Sequence, residues 1–253
     1  MANTARVDKS LFESNHYLGR PADSSDLLVQ RRLNVLRNHK GFLDKNANIV
    51  EIGCGNGNTI IPLAGEFCGA LGLEYANIHA ADFSKLKQDQ NADNAHFLVW
   101  DIMKKPYEPL ADRLISFEVI EHLPSEDGVA NYVKSLKIGG IAAISVPNKW
   151  WIFETHGAKL PYLPWNRVPF FSWLPRPLHE RWANARIYTK RRICQLLEKH
   201  DFEIIETHLI TAPMDVIRWK PFQKFLRRWI FFGDTTSITF KAVSILVICR
   251  RKK

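Results

Sequence analysis

Glu118, Glu121 and His122 stand together in the stretch DRLISFEVIEHLP, residues 112 to 124. At i, i+3 and i+4 they point to one side of a single helical turn. Pro124 disfavours the helical region at Leu123, so that turn must be short. Two carboxylates and an imidazole make a mixed oxygen and nitrogen set suited to Mg2+, Mn2+ or a related divalent ion. The same residues could move a proton. A hydroxyl nucleophile has to lose its hydrogen, either to a general base such as His122 within hydrogen-bond reach or with the help of a bound ion.

A second constellation lies upstream. The stretch NIVEIGCGNGNT, residues 48 to 59, is an apolar run ending in Gly53, Gly55 and Gly57. Glycine lets a chain turn sharply and approach a ligand with no Cβ in the way. The spacing is G-x-G-x-G behind Glu51. It is neither the dinucleotide fingerprint G-x-G-x-x-G nor a phosphate-binding loop ending in Lys-Ser/Thr.

The elements that must carry these residues alternate. A helix is expected over 22–40, opened by Asp23, Ser24 and Ser25. NIVEI reads as a strand, followed by a helix from about Asn58, with Pro62 tolerable only in its first turn. NIHAADF (77–83), AHFLVWDI (95–102), RLISFEV and GGIAAISVP read as further strands, with a helix over about 125–136 before the last of these. TKRRICQLLEKH and FEIIETHLI resume the alternation, and ITFKAVSILVICRRKK closes the chain as a last strand. Such alternation implies a parallel α/β sheet covered on both faces.

VEIGCGNG resembles the first motif of class I S-adenosylmethionine-dependent methyltransferases, over about residues 45 to 148. The resemblance implies a Rossmann-like, seven-stranded sheet with helices on both faces and its last strand antiparallel. It implies S-adenosylmethionine as cofactor. Glu51, Gly53, Cys54, Gly55, Asn56 and Gly57 would form the turn that holds its methionine end. Asp82, followed by Phe83, would end the second strand and take both ribose hydroxyls. Asp101 and Ile102 would meet the adenine, and Phe117 and Glu118 would complete the pocket. KIGG before the fifth strand matches the family's usual turn. Glu51 and Asp82 stand 31 residues apart, beyond the ~20 of a compact first unit. GEFCGALGLEYAN therefore reads as an insertion, and Glu74 is the alternative acid.

The pattern Glu-x-x-Glu-His resembles two methyltransferase groups, the O-methyltransferases of ubiquinone biosynthesis and the 2′-O-methyltransferases that act on small-RNA 3′ ends. Both resemblances imply a divalent ion held by Glu118, Glu121 and His122. The RNA group adds a second histidine, here His156 or His179. Catalytic roles would fall to His122, Glu121 and His156. In metal-free relatives the glutamate and histidine of EHL instead cap the next helix or touch the substrate. GNGNTIIPL with ADFS also resembles a group of tRNA base methyltransferases.

The 253 residues fit one domain: a helical cap over 1–44, a cofactor-binding core over 45–148, an aromatic lid over 149–185, and a helix, basic insertion and last strands over 186–253. Residues 147 to 183 hold five of the eight tryptophans and six of the thirteen prolines. That is too apolar for a linker and too proline-rich for a regular element. Trp150, Trp151, Phe153, Tyr162, Trp165, Phe170, Phe171 and Trp173 point to a greasy or planar acceptor.

The net charge is +9, and residues 186 to 253, with 15 Lys and Arg against 6 Asp and Glu, carry all of it. Such asymmetry points to an anionic partner. Phe222, Phe225, Leu226 and Trp229 fall at i, i+3, i+4 and i+7 among Lys220, Lys224, Arg227 and Arg228, as on a helix lying at an anionic membrane surface. The same residues suit RNA. Four cysteines without Cys-x-x-Cys spacing, and a first 20 residues without a signal-like apolar stretch, lead to the expectation of a cytoplasmic protein, peripheral on a membrane if the basic helix docks there. The combined expectation is O-methylation of a hydroxyl on a hydrophobic or aromatic small molecule. The alternatives are methylation of RNA, at a ribose 2′-oxygen or a base, and of a glycan or secondary metabolite.

Overall fold

The structure, a computed structural model, describes residues 25–158, 169–215 and 217–252. Helix α1 (Leu27–Asn38) leads into strand β1 (Asn48–Ile52). Strand β2 (Gly69–Glu74), helix α2 (Ala80–Asp89), β3 (Ala95–Val99), β4 (Ala111–Phe117), helix α3 (Val129–Lys134) and β5 (Leu136–Pro147) follow. Helices α4 (Arg176–Trp182) and α5 (Lys190–Lys199), β6 (Phe202–Thr211), helix α6 (Lys220–Trp229) and β7 (Ala242–Arg251) complete the chain. The seven strands form one sheet in the order β3-β2-β1-β4-β5-β7-β6. β1 to β5 run parallel, and β7 lies antiparallel to both neighbours. This is the expected architecture.

Neighbouring residues on the central strands supply two separate cores. Ile49, Ile115 and Ile248 pack with Val29, Leu33 and Leu36 of α1 and Phe83 of α2. Val50, Leu114 and Val247 pack on the other face with Val133 of α3 and Ile193 and Leu197 of α5. A strand buried on both faces needs continuous apolar runs such as ILVIC rather than alternation. The points that position a site are the carboxyl ends of β1 to β4, where loops leave the sheet together.

Three expected elements differ. NIHAADF is no strand: Asn77–His79 form a 3-10 turn and Ala80 begins α2. The second strand is GALGLE, inside the stretch taken for an insertion. Gly69 and Gly72 weaken its strand signal, but Gly72 is needed there, because a Cβ on it would lie 2.6 Å from the Cys54 sulfur. The helix expected from Asn58 is only a 3-10 segment, Ile61–Glu66, with Pro62 in its first turn. The remaining expected strands and helices are present, with β4 and β5 beginning two and three residues before RLISFEV and GGIAAISVP. The stretch 147–183, expected to hold no regular element, carries helix α4, which tolerates Pro177 because it falls in the first turn. Residues 1–24 of the cap, and Tyr162 and Trp165 of the lid, lie outside the described residues. Among the described residues no helix is long and apolar enough to cross a membrane.

Candidate functional site

The glycine turn folds over the end of β2. Gly53, Gly55 and Gly57 all have positive φ, at 75°, 51° and 85°, which L-residues with a Cβ adopt at a cost. Their neighbours differ. A Cβ on Gly53 would strike Val119 Cγ2 at 2.3 Å, and one on Gly57 would strike Ile61 and Phe83 at 2.6 Å. A Cβ on Gly55 would meet nothing within 4 Å. Gly53 and Gly57 are therefore packing glycines, and Gly55 borders open space.

Glu74, at the end of β2, closes this turn. Its Oε2 accepts from Gly55 N at 2.8 Å and its Oε1 from Tyr75 N at 2.8 Å. Asp82 instead sits exposed in the first turn of α2. The strand-end position expected of Asp82 thus belongs to Glu74, the alternative acid. Phe83 points into the core, buried beneath Gly57 and edge-on to Phe97, with ring centroids 5.4 Å apart. Cys54 is buried, and burial followed by the charges of Glu51 and Glu74 pushes its thiol pKa up. Asn56 stays half-exposed on the turn.

Glu51 is buried at the end of β1. Desolvation, then the charge of Glu74, raises its pKa well above the carboxylate range, against hydrogen bonds from Ile60 and Thr59. Its Oε2 has no hydrogen-bond partner among the described residues. Past β3, Asp101 accepts from Met103 N at 2.9 Å, and the Ile102 carbonyl accepts from Asn131 at 2.7 Å.

Val119, the residue touching Gly53, ties the turn to the second constellation. β4 ends at Phe117, Glu118 takes φ +58°, and Ile120–His122 make one 3-10 turn, as short as Pro124 requires. His156 enters from the lid. Its Nε2 lies 3.5 Å from Glu121 Oε1 and 4.0 Å from Glu118 Oε2, and its ring centroid is 4.9 Å from that of His122. One ligand atom each from Glu121, His122 and His156 lie within 4.8 Å of one another. Both Glu121 oxygens and His122 Nδ1 are buried without a hydrogen-bond partner. Burial, then the charge of Glu118, raises the Glu121 pKa. Burial, with His156 and Arg186 adding to it, lowers His122 to about 3.

His179 stands apart from this cluster. It is fully buried, and its Nε2 lies 2.7 Å from Glu154 Oε2. Glu154 Oε1 accepts from His156 N at 3.1 Å. Of the two candidate histidines, His156 faces the carboxylates and His179 braces the loop that brings it there.

Sequence reasoning missed Arg32. It reaches from α1 to donate to Glu118 Oε1 at 2.6 Å, and that oxygen also accepts from Ser145 Oγ at 2.6 Å. The Arg32 guanidinium lies 5.5 Å from the centre of the Phe117 ring. Arg186 was also missed. It donates to the carbonyls of Leu123 and Pro124 and holds the end of the 3-10 turn. Neither arginine carries a local signal, since both partners are distant in sequence.

A family model described as a methyltransferase domain matches residues 26–207. No curated protein matches the chain in sequence. Among solved structures, an S-adenosylmethionine-dependent methyltransferase from Mesorhizobium loti is similar with a TM-score of 0.59 at 15% identity, covering 87% of this chain and 98% of that one. One from Clostridium acetobutylicum gives 0.58 at 10% identity, covering 90% and 92%. The magnesium protoporphyrin IX methyltransferase of Synechocystis, solved with bound SAH, gives 0.55 at 13% identity, covering 90% and 84%.

Proposed function

The chain belongs to the methyltransferase domain family, a class of S-adenosylmethionine-dependent enzymes whose fold it has, and we propose that it methylates a hydroxyl of a hydrophobic acceptor. The observation that carries this reading is the contact of Val119 with Gly53. It sets the cluster of Glu118, Glu121, His122 and His156 directly beside the glycine turn.

The residues present fit the cofactor. The unpartnered Oε2 of Glu51 suits the methionine ammonium, directly or through the turn. The open space at Gly55 admits the ligand against bare backbone. Glu74, with two carboxylate oxygens, suits the two ribose hydroxyls, and the sequence resemblance assigns the adenine to Asp101 and Ile102. When bound, the cofactor supplies an electrophilic sulfonium methyl. The chain's own task is then to aim the acceptor oxygen and dispose of its proton.

The cluster also fits a divalent ion. Orphaned buried carboxylate oxygens beside an imidazole kept neutral make a donor set that lacks only a cation. Glu121, His122 and His156 would hold it. Glu118 would contribute through Oε2, because its Oε1 is already taken by Arg32 and Ser145. A bound ion would lower the pKa of the acceptor hydroxyl. His122, with so low a pKa, is better suited to ligation than to proton abstraction. The lid supports a greasy acceptor, since Trp151 and Phe171 anchor its base while Trp150 and Phe170 remain exposed.

Calorimetry tests both parts. S-adenosylhomocysteine is titrated into EDTA-treated protein, and Mg2+ or Mn2+ into the resulting complex. The expected result is cofactor binding followed by an ion signal that disappears in Glu118→Ala/Glu121→Ala, with cofactor affinity nearly intact. No cofactor binding would remove the enzyme assignment. Cofactor binding without an ion signal would reduce the cluster to proton handling.

A further inference from the structure

Helix α6 packs on the domain with the wrong side for a soluble helix. Gln223 is buried, donating from Nε2 to the carbonyls of Met214 at 3.0 Å and Ile217 at 3.1 Å. Leu226 packs with Trp151, Met214 and Val243. Arg227 donates to the Pro213 carbonyl and pairs with Asp215. Arg31, from α1, donates to the carbonyls of Thr211, Ala212 and Phe231, fixing both ends of the excursion that carries the helix.

At 100° per residue the remaining positions fall into two further sectors. Phe222, Phe225 and Trp229 share one, 41%, 51% and 64% exposed. Lys220, Lys224 and Arg228 share the other, all exposed. Trp219 and Phe232, 68% and 66% exposed, extend the aromatic sector at the ends of the helix. Residues 217 to 230 contain five Lys and Arg and no Asp or Glu. Folding alone would not turn a glutamine inward and three aromatic rings outward, because burial of the rings is what releases free energy.

We propose that this face of α6 docks on an anionic lipid bilayer. A helix lying in the membrane interface buries its aromatic sector at the boundary between headgroups and acyl chains. Its lysine and arginine stems reach sideways to the phosphates. Arg31 and Gln223 hold the helix rigid in the free protein, so docking costs little ordering of the chain. Nucleic acid is the less suited partner. Base stacking needs π-faces beside phosphate-binding cations. Here the π-faces are already engaged: Arg228 lies over the Trp229 ring, 5.7 Å from its centre, and Phe222 stacks with Trp219 and Phe225 at 6.0 and 6.4 Å, while the exposed Ile230 that continues the patch has no π-face to offer. This inference does not depend on the identity of the acceptor.

Co-sedimentation of the RNase-treated protein with vesicles tests it, using phosphatidylcholine alone and phosphatidylcholine with about 30 mol% phosphatidylglycerol. The wild type is expected to sediment with the anionic vesicles. Phe222→Ser/Phe225→Ser/Trp229→Ser should weaken this about tenfold or more. Lys220→Gln/Lys224→Gln/Arg228→Gln should lose roughly fivefold per cation and with it the preference for anionic lipid. Unchanged thermal unfolding and S-adenosylhomocysteine affinity in both variants would show that the fold is intact. If the triple aromatic variant unfolds, Trp229→Ser alone carries the comparison. The proposal is overturned if wild type ignores both vesicles, or if the aromatic variant binds them as wild type does. It is overturned equally if the protein binds single-stranded RNA through these residues and leaves vesicles in solution.

Discussion

Arg32 on α1 and Glu118 at the end of β4 meet at 2.6 Å across 86 residues of chain, in a pair whose side chains are 7% and 23% exposed. The contact clamps the N-terminal helix onto the loop that carries the acid and imidazole cluster. Removing the arginine leaves a largely desolvated carboxylate without its countercharge, next to a second carboxylate, Glu121. Arg32→Met is therefore expected to cost about 3 kcal/mol, the low end for a broken buried pair. Arg32→Met/Glu118→Gln should recover much of that loss. Urea denaturation of the two variants checks this, and equal stabilities would show that the pair is solvated enough to be worth little.

The acid at the end of β2 gives a sharper contrast. Glu74→Gln removes a charged acceptor from the position suited to the ribose and should weaken S-adenosylhomocysteine binding by about 1.5–3 kcal/mol. Asp82→Ala, on the exposed side of α2, should change it by no more than about 0.5 kcal/mol. Gly55→Val should abolish binding, because its Cβ would occupy the open space, and should cost stability through its left-handed backbone (φ 51°) rather than through a clash. Gly53→Ala should chiefly destabilise, because its Cβ would collide with Val119. Calorimetry and thermal melts on the four variants separate these outcomes, and a large affinity loss in Asp82→Ala would return the ribose role to that residue.

The contrast between Glu74 and Asp82 also marks what one sequence can disclose. Strands such as β1, β5 and β7 announce themselves by branched apolar runs. GALGLE has two glycines and no β-branched residue, so its strand nature comes from the neighbours it fits between. The glycine turn was legible because positive φ demands glycine. Glu118, Glu121 and His122 were legible because they share one short stretch. The choice between His156 and His179 was not, since both lie in the lid and only their tertiary partners separate them. Arg32 was invisible for the same reason, as a buried arginine on an amphipathic helix looks like any surface cation until its carboxylate is found.

Glu206 on β6 links part of the fold's stability to acid pH. Its Oε2 lies 2.8 Å from His208 Nε2 and its Oε1 lies 3.2 Å from His39 Nδ1 at the end of α1. The hydrogen bond with His208 is the main cause that lowers its pKa in the folded protein. A carboxylate with a depressed folded pKa contributes stability above its unfolded value, and that contribution disappears as the pH falls through the folded one. Glu206→Gln should therefore melt below wild type at pH 6 to 7, and the two melting curves should converge below about pH 4. A melting difference that persists undiminished at lower pH would mean that packing, not charge, holds this contact.

Glu154 and His179 act on the site through His156. The buried pair at 2.7 Å fixes the Glu154 carboxylate, whose other oxygen accepts from the His156 backbone amide at 3.1 Å. The loop is thereby held with the imidazole 3.5 Å from Glu121. His179→Ala frees Glu154 to turn, and Glu154→Gln weakens its hold on the amide. Both should lower turnover by about ten- to a hundredfold through misplacement of His156, while S-adenosylhomocysteine affinity, which rests on the glycine turn and Glu74, stays nearly unchanged. His156→Ala should cost at least as much, and combining it with His179→Ala should add little, because the second residue works only by placing the first. Full additivity of the two losses in a turnover assay would show instead that His179 acts on the reaction by a route of its own.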